Sequence, residues 1–368
     1  MFKLKDLHKW YLLDIQEYDS SKAEEFASKM LQFLNGGMLS LMISIGYKTG
    51  LFDIISQLKP STSQEISQIA KLNERYIREW LGAMVTGNII KYDPSTEKYL
   101  LPKEHSAFLT RKSGIDNLAV LTQYVSLMGN VEDKIVECFR NGGGLPYSEY
   151  PKFQQLQAEE TSRIFDAKLI NQILPLIPEI RNKLNDGIKV LDIGCGRGHA
   201  INLMGKEFHN SHFTGCDIST EGITSAKEEA KSLGLTNVKF EVKDALLVEE
   251  LGKFDLITAF DTIHDQTQPT KVLKAINSSL NNGGSFLMQD IAASTKVEKN
   301  IDSLLAPTLY TISTMHCMSV SLAFNGEGLG TMWGKELAVK KLTEAGFKDI
   351  KVKNIEGDIM NYYYLSKK

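Results

Sequence analysis

The sequence has few cysteines, and this scarcity excludes several kinds of protein. Its 368 residues include four cysteines, Cys138, Cys195, Cys216 and Cys317, which lie far apart in the chain. Neither a disulfide framework nor a cysteine zinc site is expected from such spacing, and we expect no bound metal. Reduced thiols are typical of the cytosol, so we expect a cytoplasmic protein.

Long apolar runs and a large charge of one sign are also missing. The sequence shows no uninterrupted run of about eighteen apolar residues that would span a bilayer. The net charge of −3 gives no general attraction for nucleic acid or anionic membrane, and neither is expected as a partner. Residues 1–21 carry charges too early for a secretory signal, so they are expected to form an extra amphipathic helix.

Length and composition favour two domains of an ordinary globular protein. A chain of 368 residues exceeds what one hydrophobic core usually supports. Its hydrophobic content of 42% and charged content of 24% are common values for such proteins.

The most distinctive stretch is VLDIGCGRGHA, residues 190–200. An apolar run typical of a buried strand leads into three glycines at alternate positions, Gly194, Gly196 and Gly198. The residues that follow have the apolar spacing of a helix. The pattern of strand, glycine loop and helix allows the backbone to approach a ligand closely.

Two residues in this stretch indicate the kind of ligand. The dinucleotide fingerprint needs a small residue where this chain has His199, so the pattern disfavours NAD. Asp192, at the end of the strand, would repel a pyrophosphate but could attract a cation. A cationic ligand therefore fits this stretch better than a dinucleotide does.

Further acids follow the next two predicted strands. Asp217 comes nineteen positions after Gly198, close to the roughly twenty-residue interval at which such units place an acid on a ribose. Asp244 lies at the end of the strand candidate VKFEV. Acids at successive strand ends favour one shared ligand over unrelated turns.

This set of motifs resembles that of the class I S-adenosylmethionine-dependent methyltransferases. The resemblance implies S-adenosylmethionine as cofactor, with Asp217 on the ribose and Asp244 accepting from the adenine amino group. The residues expected to form the cofactor site are Asp192, Gly194, Cys195, Gly196, Gly198, Asp217, Ile218, Asp244, Ala245, Phe260 and Asp261.

The carboxyl-terminal half alternates apolar strands with helices. Five such strands predict a parallel sheet with right-handed crossovers, and two later segments, FKDIKVKNIE and NYYYLSKK, predict an antiparallel pair at one edge. The expected fold is α/β, with a seven-stranded Rossmann-like sheet of the class I methyltransferase kind. We place this cofactor domain at residues 186–368, after a helical substrate-pocket region at 106–185.

Residues 1–105 predict a mostly helical winged-helix domain. Thr62 starts a capping box and Asn73 can cap the next helix, and IIKYDPSTEKYLL alternates about a turn as a hairpin does. Three positive side chains balance three negative ones over residues 61–80, which disfavours DNA binding. The layout resembles the amino-terminal domain of small-molecule O-methyltransferases, and that resemblance implies a homodimer.

The acceptor chemistry is expected near FDTIHDQ. Transfer to a hydroxyl requires removal of a proton, and an unperturbed imidazole titrates near neutrality. The pair His264 and Asp265 resembles the catalytic pair of small-molecule O-methyltransferases, which implies His264 as general base. The tryptophan that follows the pair in plant-type enzymes is Gln266 here.

Aromatic and methionine side chains are candidates for the acceptor pocket. They occur on the glycine-rich segment NGGGLPYSEYPKF and on the insertion at residues 294–334, whose sequence resembles a bacterial-type subgroup of these methyltransferases. The candidates are Tyr147, Tyr150, Tyr310, Met315, His316 and Trp333.

The sequence therefore predicts a methyltransferase that acts on a small molecule, most simply through a hydroxyl. One alternative is a cofactor-sensing winged-helix transcriptional regulator. Another is an RNA or protein methyltransferase, but neither a basic patch nor an Asn/Asp-Pro-Pro-aromatic motif supports it. The identity of the acceptor is not encoded in any motif of the chain.

Overall fold

The computed structural model describes residues 18–368, which divide into two compact units. The first unit ends at Ser106 and the second runs from Ala107 to Lys368. The expected helical region at 106–185 thus falls almost entirely in the second unit. The extra helix expected for residues 1–21 lies mainly outside the described residues.

The first unit has the helix, helix, hairpin order expected from its sequence. Thr62 accepts a hydrogen bond from the backbone of Glu65 at 3.3 Å, and the Glu65 carboxylate accepts one from the Thr62 backbone at 2.8 Å. The elements are helices α1 (Ser20–Lys48), α2 (Leu51–Ile55), α3 (Ser63–Ala70) and α4 (Glu74–Thr86), strands β1 (Lys91–Asp93) and β2 (Lys98–Leu100), and helix α5 (Lys103–Leu109), which crosses the boundary.

Helix α1 is the longest helix among the described residues. It is one continuous helix of 29 residues, and Gly36 and Gly37 do not interrupt it. Glycine inside a helix costs only about 1 kcal/mol relative to alanine, so neighbouring residues can carry the helix through it.

Much of the apolar surface of α1 is exposed in the single chain. One 18-residue window in α1 has a mean hydropathy of 1.2 and is 17% buried, so by length and composition the helix could cross a membrane. Buried core helices and signal sequences meet the same criterion. This finding amends the expectation that no segment is apolar enough to span a bilayer.

Both arginines of α4 are paired within their own helix. Arg75 pairs with Glu79, and Arg78 lies 3.4 Å from Glu74. These glutamates offset the positive charge that a DNA-reading helix would offer to phosphates.

The second unit is built on the expected seven-stranded sheet. The strand order is β5-β4-β3-β6-β7-β9-β8, and β9 is antiparallel to both of its neighbours. The strands are β3 (Lys189–Ile193), β4 (His212–Asp217), β5 (Val238–Val242), β6 (Phe254–Phe260), β7 (Leu280–Ile291), β8 (Lys348–Lys353) and β9 (Asn361–Lys367).

Apolar side chains pack on both faces of this sheet. The α-helices of the second unit after α5 are α6 (Gln123–Gly129), α7 (Glu132–Asn141), α8 (Phe153–Lys168), α9 (Ile180–Asp186), α10 (His199–Glu207), α11 (Thr220–Ser232), α12 (Pro269–Ser279), α13 (Ala306–Ile312), α14 (Met318–Ala323) and α15 (Gly334–Glu344). Two π-helical turns, Leu169–Ile173 and Ser313–Cys317, continue α8 and join α13 to α14. Short 3₁₀ helices lie at Arg111–Asp116, Ala119–Thr122, Tyr147–Glu149, Leu174–Leu176, Ala245–Leu251, Ile263–Asp265 and Val297–Lys299.

The strand order creates a ligand site at the centre of the sheet. From β3 the chain moves outward through β4 and β5, and then returns to β6 on the other side of β3. The loops that follow β3 and β6 therefore diverge at the carboxyl edge, where open sheets bind ligands. The glycine loop and the FDTIHDQ segment occupy these two positions.

The glycine loop is held closely against the loop after β6. Gly194 has a φ of +66°, and a Cβ placed on it would lie 2.2 Å from the Oγ1 atom of Thr262. Gly234, after α11, has a similar φ of +68° but open space around it. Both glycines therefore have a left-handed backbone conformation, but of the two only Gly194 has a side chain, that of Thr262, packed against it.

We predict that Gly194→Ala destabilises the chain more than Gly234→Ala does. Both changes place a Cβ in the left-handed region at a cost of about 1–2 kcal/mol, and Gly194→Ala adds a steric cost of about 1–3 kcal/mol. Urea unfolding followed by circular dichroism compares the two. Equal losses of stability would show that Thr262 moves aside freely.

Candidate functional site

A cavity of about 370 Å³ opens at the carboxyl edge of the sheet in the second unit. Its wall is formed by the glycine loop, the ends of β4 and β6, and one side of α8. Most of the residues predicted for the cofactor lie on this wall. They are Asp192, Gly194, Cys195, Gly196, Gly198, Asp217, Ile218, Ala245, Phe260 and Asp261, together with Asp265 and Tyr147 from the predicted catalytic and acceptor sets.

Other predicted residues lie away from the cavity wall. They are Asp244, His264, Tyr150, Tyr310, Met315, His316 and Trp333. Each makes a contact that accounts for its position.

Asp192 is a buried carboxyl group on β3. Its Oδ1 atom accepts a hydrogen bond from the Thr258 hydroxyl at 2.6 Å. Burial raises the pKa of Asp192 to about 7, because desolvation penalises the charged form more than the Thr258 hydrogen bond favours it. A positively charged ligand in the cavity would favour the ionised carboxylate.

Asp217, the last residue of β4, links its own strand end to the glycine loop. Its Oδ2 atom accepts from the backbone N–H of Gly196 at 2.9 Å, and its Oδ1 atom accepts from Ser219 at 2.8 Å. Burial raises the pKa of Asp217, although these backbone donors oppose the shift. A carboxylate has about four acceptor positions, so two remain for a ligand's hydroxyls.

Asp244 is exposed, and its side chain serves the local helix. It accepts from the backbone of Leu246 at 2.8 Å and so caps the 3₁₀ helix Ala245–Leu251. Its neighbours Lys243 and Ala245 are on the cavity wall, whereas Asp244 is not. An acid one residue before a helical turn is a favoured cap, and that local role explains the orientation.

Asp261 follows β6 with a φ of +50°, in the left-handed region. Gln289 donates to its Oδ2 atom at 2.9 Å, and its Oδ1 atom makes no hydrogen bond among the described residues. Burial raises the pKa of Asp261 to about 7, and the nearby charge of Asp290 adds to the shift.

His264 is 3% exposed and sits between two carboxylates. Its Nδ1–H donates to Oδ1 of Asp290 at 2.8 Å, while its Nε2 atom lies 3.3 Å from Oδ1 of Asp265. Desolvation alone would lower the pKa of His264, but the two carboxylates outweigh it and hold that pKa well above its usual range.

The predicted acceptor residues divide into two groups. Tyr147 is on the cavity wall and donates from its hydroxyl to Asp265 at 3.1 Å. Trp333 is buried and donates from Nε1 to Asp290 at 2.9 Å. Tyr310 accepts from Asn300 at 3.2 Å.

The remaining acceptor candidates contact one another or Phe153, the first residue of α8. Tyr150 donates to the backbone oxygen of Met315 at 2.5 Å. The ring of His316 stacks on Phe153 with centroids 3.5 Å apart, and burial lowers the pKa of His316 to about 4. These contacts pack Tyr150 and His316 against Phe153, which is itself on the cavity wall, whereas Tyr150 and His316 are not.

Several residues of the site were not predicted from the sequence. Phe153 begins α8 and does not lie on a loop, and that helix also places Gln154, Gln157 and Thr161 on the wall. Thr258 carried a usable signal, because it is a polar residue between the apolar residues Ile257 and Ala259 of β6. No residue pattern in α8 distinguishes a cavity wall from an ordinary surface.

Comparison with known proteins agrees with the two-part organisation. An Rv2258c-like winged HTH domain model matches residues 37–111, and a methyltransferase domain model matches residues 184–346.

Relatives among curated proteins match a part of the chain. Ubiquinone biosynthesis O-methyltransferase of Leptothrix cholodnii is 26% identical over 154 residues, 40% of this chain and 64% of that protein. (S)-Coclaurine N-methyltransferase of Papaver somniferum is 33% identical over 116 residues, 31% of this chain and 33% of that protein. The matches thus span less than two thirds of the length of either relative.

Solved structures share the fold over nearly the whole chain. Human N-acetylserotonin methyltransferase, in complex with S-adenosylmethionine, has a TM-score of 0.66 and 16% identity, covering 97% of this chain and 99% of that one. An O-methyltransferase family protein from Burkholderia thailandensis has a TM-score of 0.67 and 12% identity, covering 93% of this chain and 97% of that one.

The seven-stranded sheet, the glycine loop beside buried strand-end acids, and the two domain matches agree with one another. They confirm the family and the fold expected from the sequence. The chain therefore carries a methyltransferase domain of class I fold, with S-adenosylmethionine as its cofactor, and a winged-helix domain at its amino-terminal side.

Proposed function

We propose that the chain transfers a methyl group from S-adenosylmethionine to a hydroxyl of a small molecule. The observation that carries this proposal is the shared cavity, in which the glycine loop meets Asp192 and Asp217 from adjacent strands. A cavity of about 370 Å³ lies within the usual size range of small-molecule sites.

The geometry supports a definite orientation for the cofactor. Asp217 accepts from the two ribose hydroxyls, beside the Gly196 backbone that it already holds. The adenine then lies toward Ile218 and Ala245, and the methionine end lies toward Asp192 and Asp261. Its ammonium and sulfonium charges offset the two buried carboxylates, which are costly without a partner.

For the acceptor, we place proton removal at the part of the wall formed by Asp265. His264, the base expected from the sequence, lies behind Asp265 and outside the wall, so Asp265 is the member of the pair that can touch the acceptor. Its carboxylate accepts the hydroxyl proton as the oxygen–methyl bond forms and the sulfur–methyl bond breaks. The electron pair of the broken bond goes to sulfur, which leaves S-adenosylhomocysteine.

We further propose that the chain is a cytoplasmic homodimer joined through α1. All four cysteines are free thiols, as is typical of the cytosol. Helix α1 exposes a row of large apolar side chains that a water-soluble monomer would rarely leave uncovered. They are Phe26, Met30, Leu31, Phe33, Leu34 and Met38.

Replacement of Asp217 by alanine is predicted to weaken S-adenosylhomocysteine binding by about 1.5–3 kcal/mol, or roughly tenfold to 150-fold. The loss arises because the ribose hydroxyls no longer have a charged acceptor. Isothermal titration calorimetry measures it, with Asp255→Ala as control, since Asp255 is the second residue of β6 and lies at the end of that strand away from the cavity. Unchanged affinity in Asp217→Ala would remove the ribose assignment, and no binding by the wild-type chain would remove the proposed function.

Cofactor affinity is predicted to fall as the pH is lowered through about 7. The raised pKa of Asp192 means that the carboxyl is neutral below about pH 7 and ionised above it. Because the ligand's ammonium favours the ionised form, affinity decreases by up to about tenfold per pH unit in the acidic range. Calorimetry between pH 5.5 and pH 8 measures the profile.

Asp192→Asn is the matching variant for this test. It removes the titrating group, so its profile should be flatter than that of the wild type and its affinity at pH 8 lower. Asp255→Asn should keep the wild-type profile. If Asp192→Asn keeps the full wild-type slope, the pH dependence arises from another group and the role of Asp192 is wrong.

The double variant Phe26→Glu, Phe33→Glu is predicted to convert a dimer into a monomer. Two carboxylates in a buried apolar interface would be desolvated without partners, which costs several kcal/mol. Size-exclusion chromatography with light scattering measures the mass, and Ser28→Glu adds a charge to the same helix as a control. A monomeric wild type would contradict the proposed dimer, and a double variant that is still a dimer would contradict the role of α1. Binding of the wild type to lipid vesicles would show that α1 contacts a membrane instead.

A further inference from the structure

Three side chains with different donor atoms meet beside the cavity in the second unit. They are His264, Asp265 and Cys317, which we call the His-Asp-Cys cluster. One donor atom from each lies within 4.8 Å of the other two. His264 and Cys317 are almost completely buried, and Asp265 reaches the cavity wall.

The imidazole of His264 is oriented by a partner outside the cluster. Its Nδ1–H donates to Asp290 at 2.8 Å, which leaves the Nε2 atom as the one that faces Asp265. Asp290 is itself fixed, because Trp333 and the backbone of Ile291 donate to the same oxygen at 2.9 and 2.8 Å. Histidines that bind metals commonly donate their second ring N–H to a carboxylate in this way.

The contact between His264 and Asp265 has the length of a ligand pair. Nε2 and Oδ1 are 3.3 Å apart, yet Oδ1 makes no hydrogen bond among the described residues. Two ligands at zinc-bond lengths of about 2.0–2.1 Å in a tetrahedral site are separated by about 3.4 Å. The spacing is therefore compatible with two atoms directed at one ion.

The other atoms of the cluster are also positioned by neighbours. The second oxygen of Asp265 accepts from Tyr147 at 3.1 Å, so Oδ1 is the oxygen left for a ligand. The sulfur of Cys317 lies 3.4 Å from Nδ1 of His316, which can donate to a thiolate. Cys317 ends the π-helical turn Ser313–Cys317, and such turns are frequent at functional sites.

We propose that the His-Asp-Cys cluster binds one divalent transition-metal ion of the zinc class. Nitrogen, oxygen and sulfur donors together suit zinc, and three protein ligands leave a fourth position open. That position faces the cavity, because Asp265 is on its wall. The sequence suggested no metal site, since cysteine spacing alone does not reveal a cluster with one cysteine.

An ion in this place would hold the oxygen of the methyl acceptor and lower its pKa. This catalytic role rests on the proposed function, whereas metal binding itself does not. His264 and Asp265 would then be ligands of the ion, and with the ion bound its effect on the acceptor's pKa would replace proton removal by Asp265. The two proposals can therefore fail separately.

The test uses the full-length chain, stripped with a chelator and titrated with zinc in the absence of cofactor. We expect one zinc per chain by calorimetry and by elemental analysis. Cobalt in place of zinc should give visible absorption bands of a tetrahedral site and a near-ultraviolet thiolate charge-transfer band. Cys317→Ser should lose the charge-transfer band. Cys317→Ser and Asp265→Asn should each weaken zinc binding on the order of 100-fold or more, because each removes a ligand. Asp290→Asn should weaken zinc binding roughly 10- to 100-fold, because Asp290 only orients His264.

Cys138→Ser is the matched control, because Cys138 is a partly exposed thiol on α7 outside the cluster. S-Adenosylhomocysteine binding, measured in parallel, shows whether each variant is folded, and Asp265→Asn supplies a second variant if Cys317→Ser is not. If the wild type does not bind zinc, the proposed metal site is wrong. It is also wrong if Cys317→Ser and Asp265→Asn bind zinc as tightly as Cys138→Ser does. Either result would leave the proposed methyl transfer intact if S-adenosylhomocysteine still binds.

Discussion

Carboxylates buried at the carboxyl ends of parallel strands are the constraint on which the second unit depends. Asp192, Asp217 and Asp261 end or follow three neighbouring strands and open on one cavity. Each is desolvated, and burial raises the pKa of all three. Buried acids without a cation are unfavourable, so the fold holds a site that a positively charged ligand completes.

The surrounding structure reduces this cost without removing it. Thr258 donates to Asp192, Gly196 to Asp217, and Gln289 to Asp261. Each donor also fixes the direction of its carboxylate, so the acids are oriented before any ligand arrives. Preorganised charge of this kind favours binding because little ordering is needed at the moment of association.

The sequence predicted those features that depend on local patterns. The alternation of apolar strands and helices predicted the sheet, and the glycines with acids at strand ends predicted a loop that the structure places on the cavity wall. Thr62 and Asn73 cap the helices that their residue types indicated. For the caps the responsible interactions lie within three residues, so the local pattern alone determines the outcome.

Features that depend on distant contacts could not be predicted in the same way. Trp333 donates to Asp290, 43 residues away in the chain, and Tyr150 donates to the backbone of Met315, 165 residues away. Residue type shows that each can donate or accept, but tertiary packing selects the partner. The continuity of α1 through Gly36 and Gly37 has a local origin instead, since the cost of a glycine in a helix is small enough for the neighbouring residues to offset.

The buried polar groups continue from the cofactor cavity into the protein interior. Asp261 is linked to Gln289 on β7, the next residue on that strand is Asp290, and Asp290 orients His264 behind Asp265. Such a network is costly unless its members are satisfied, because an unpaired polar group is penalised most where the dielectric constant is low. Four of its oxygens, on Asp261, Asp265, Gln289 and Asp290, lack hydrogen bonds among the described residues, and Asp261 and Asp265 are also on the cavity wall. At these two residues the missing hydrogen bonds lie where a ligand can reach them.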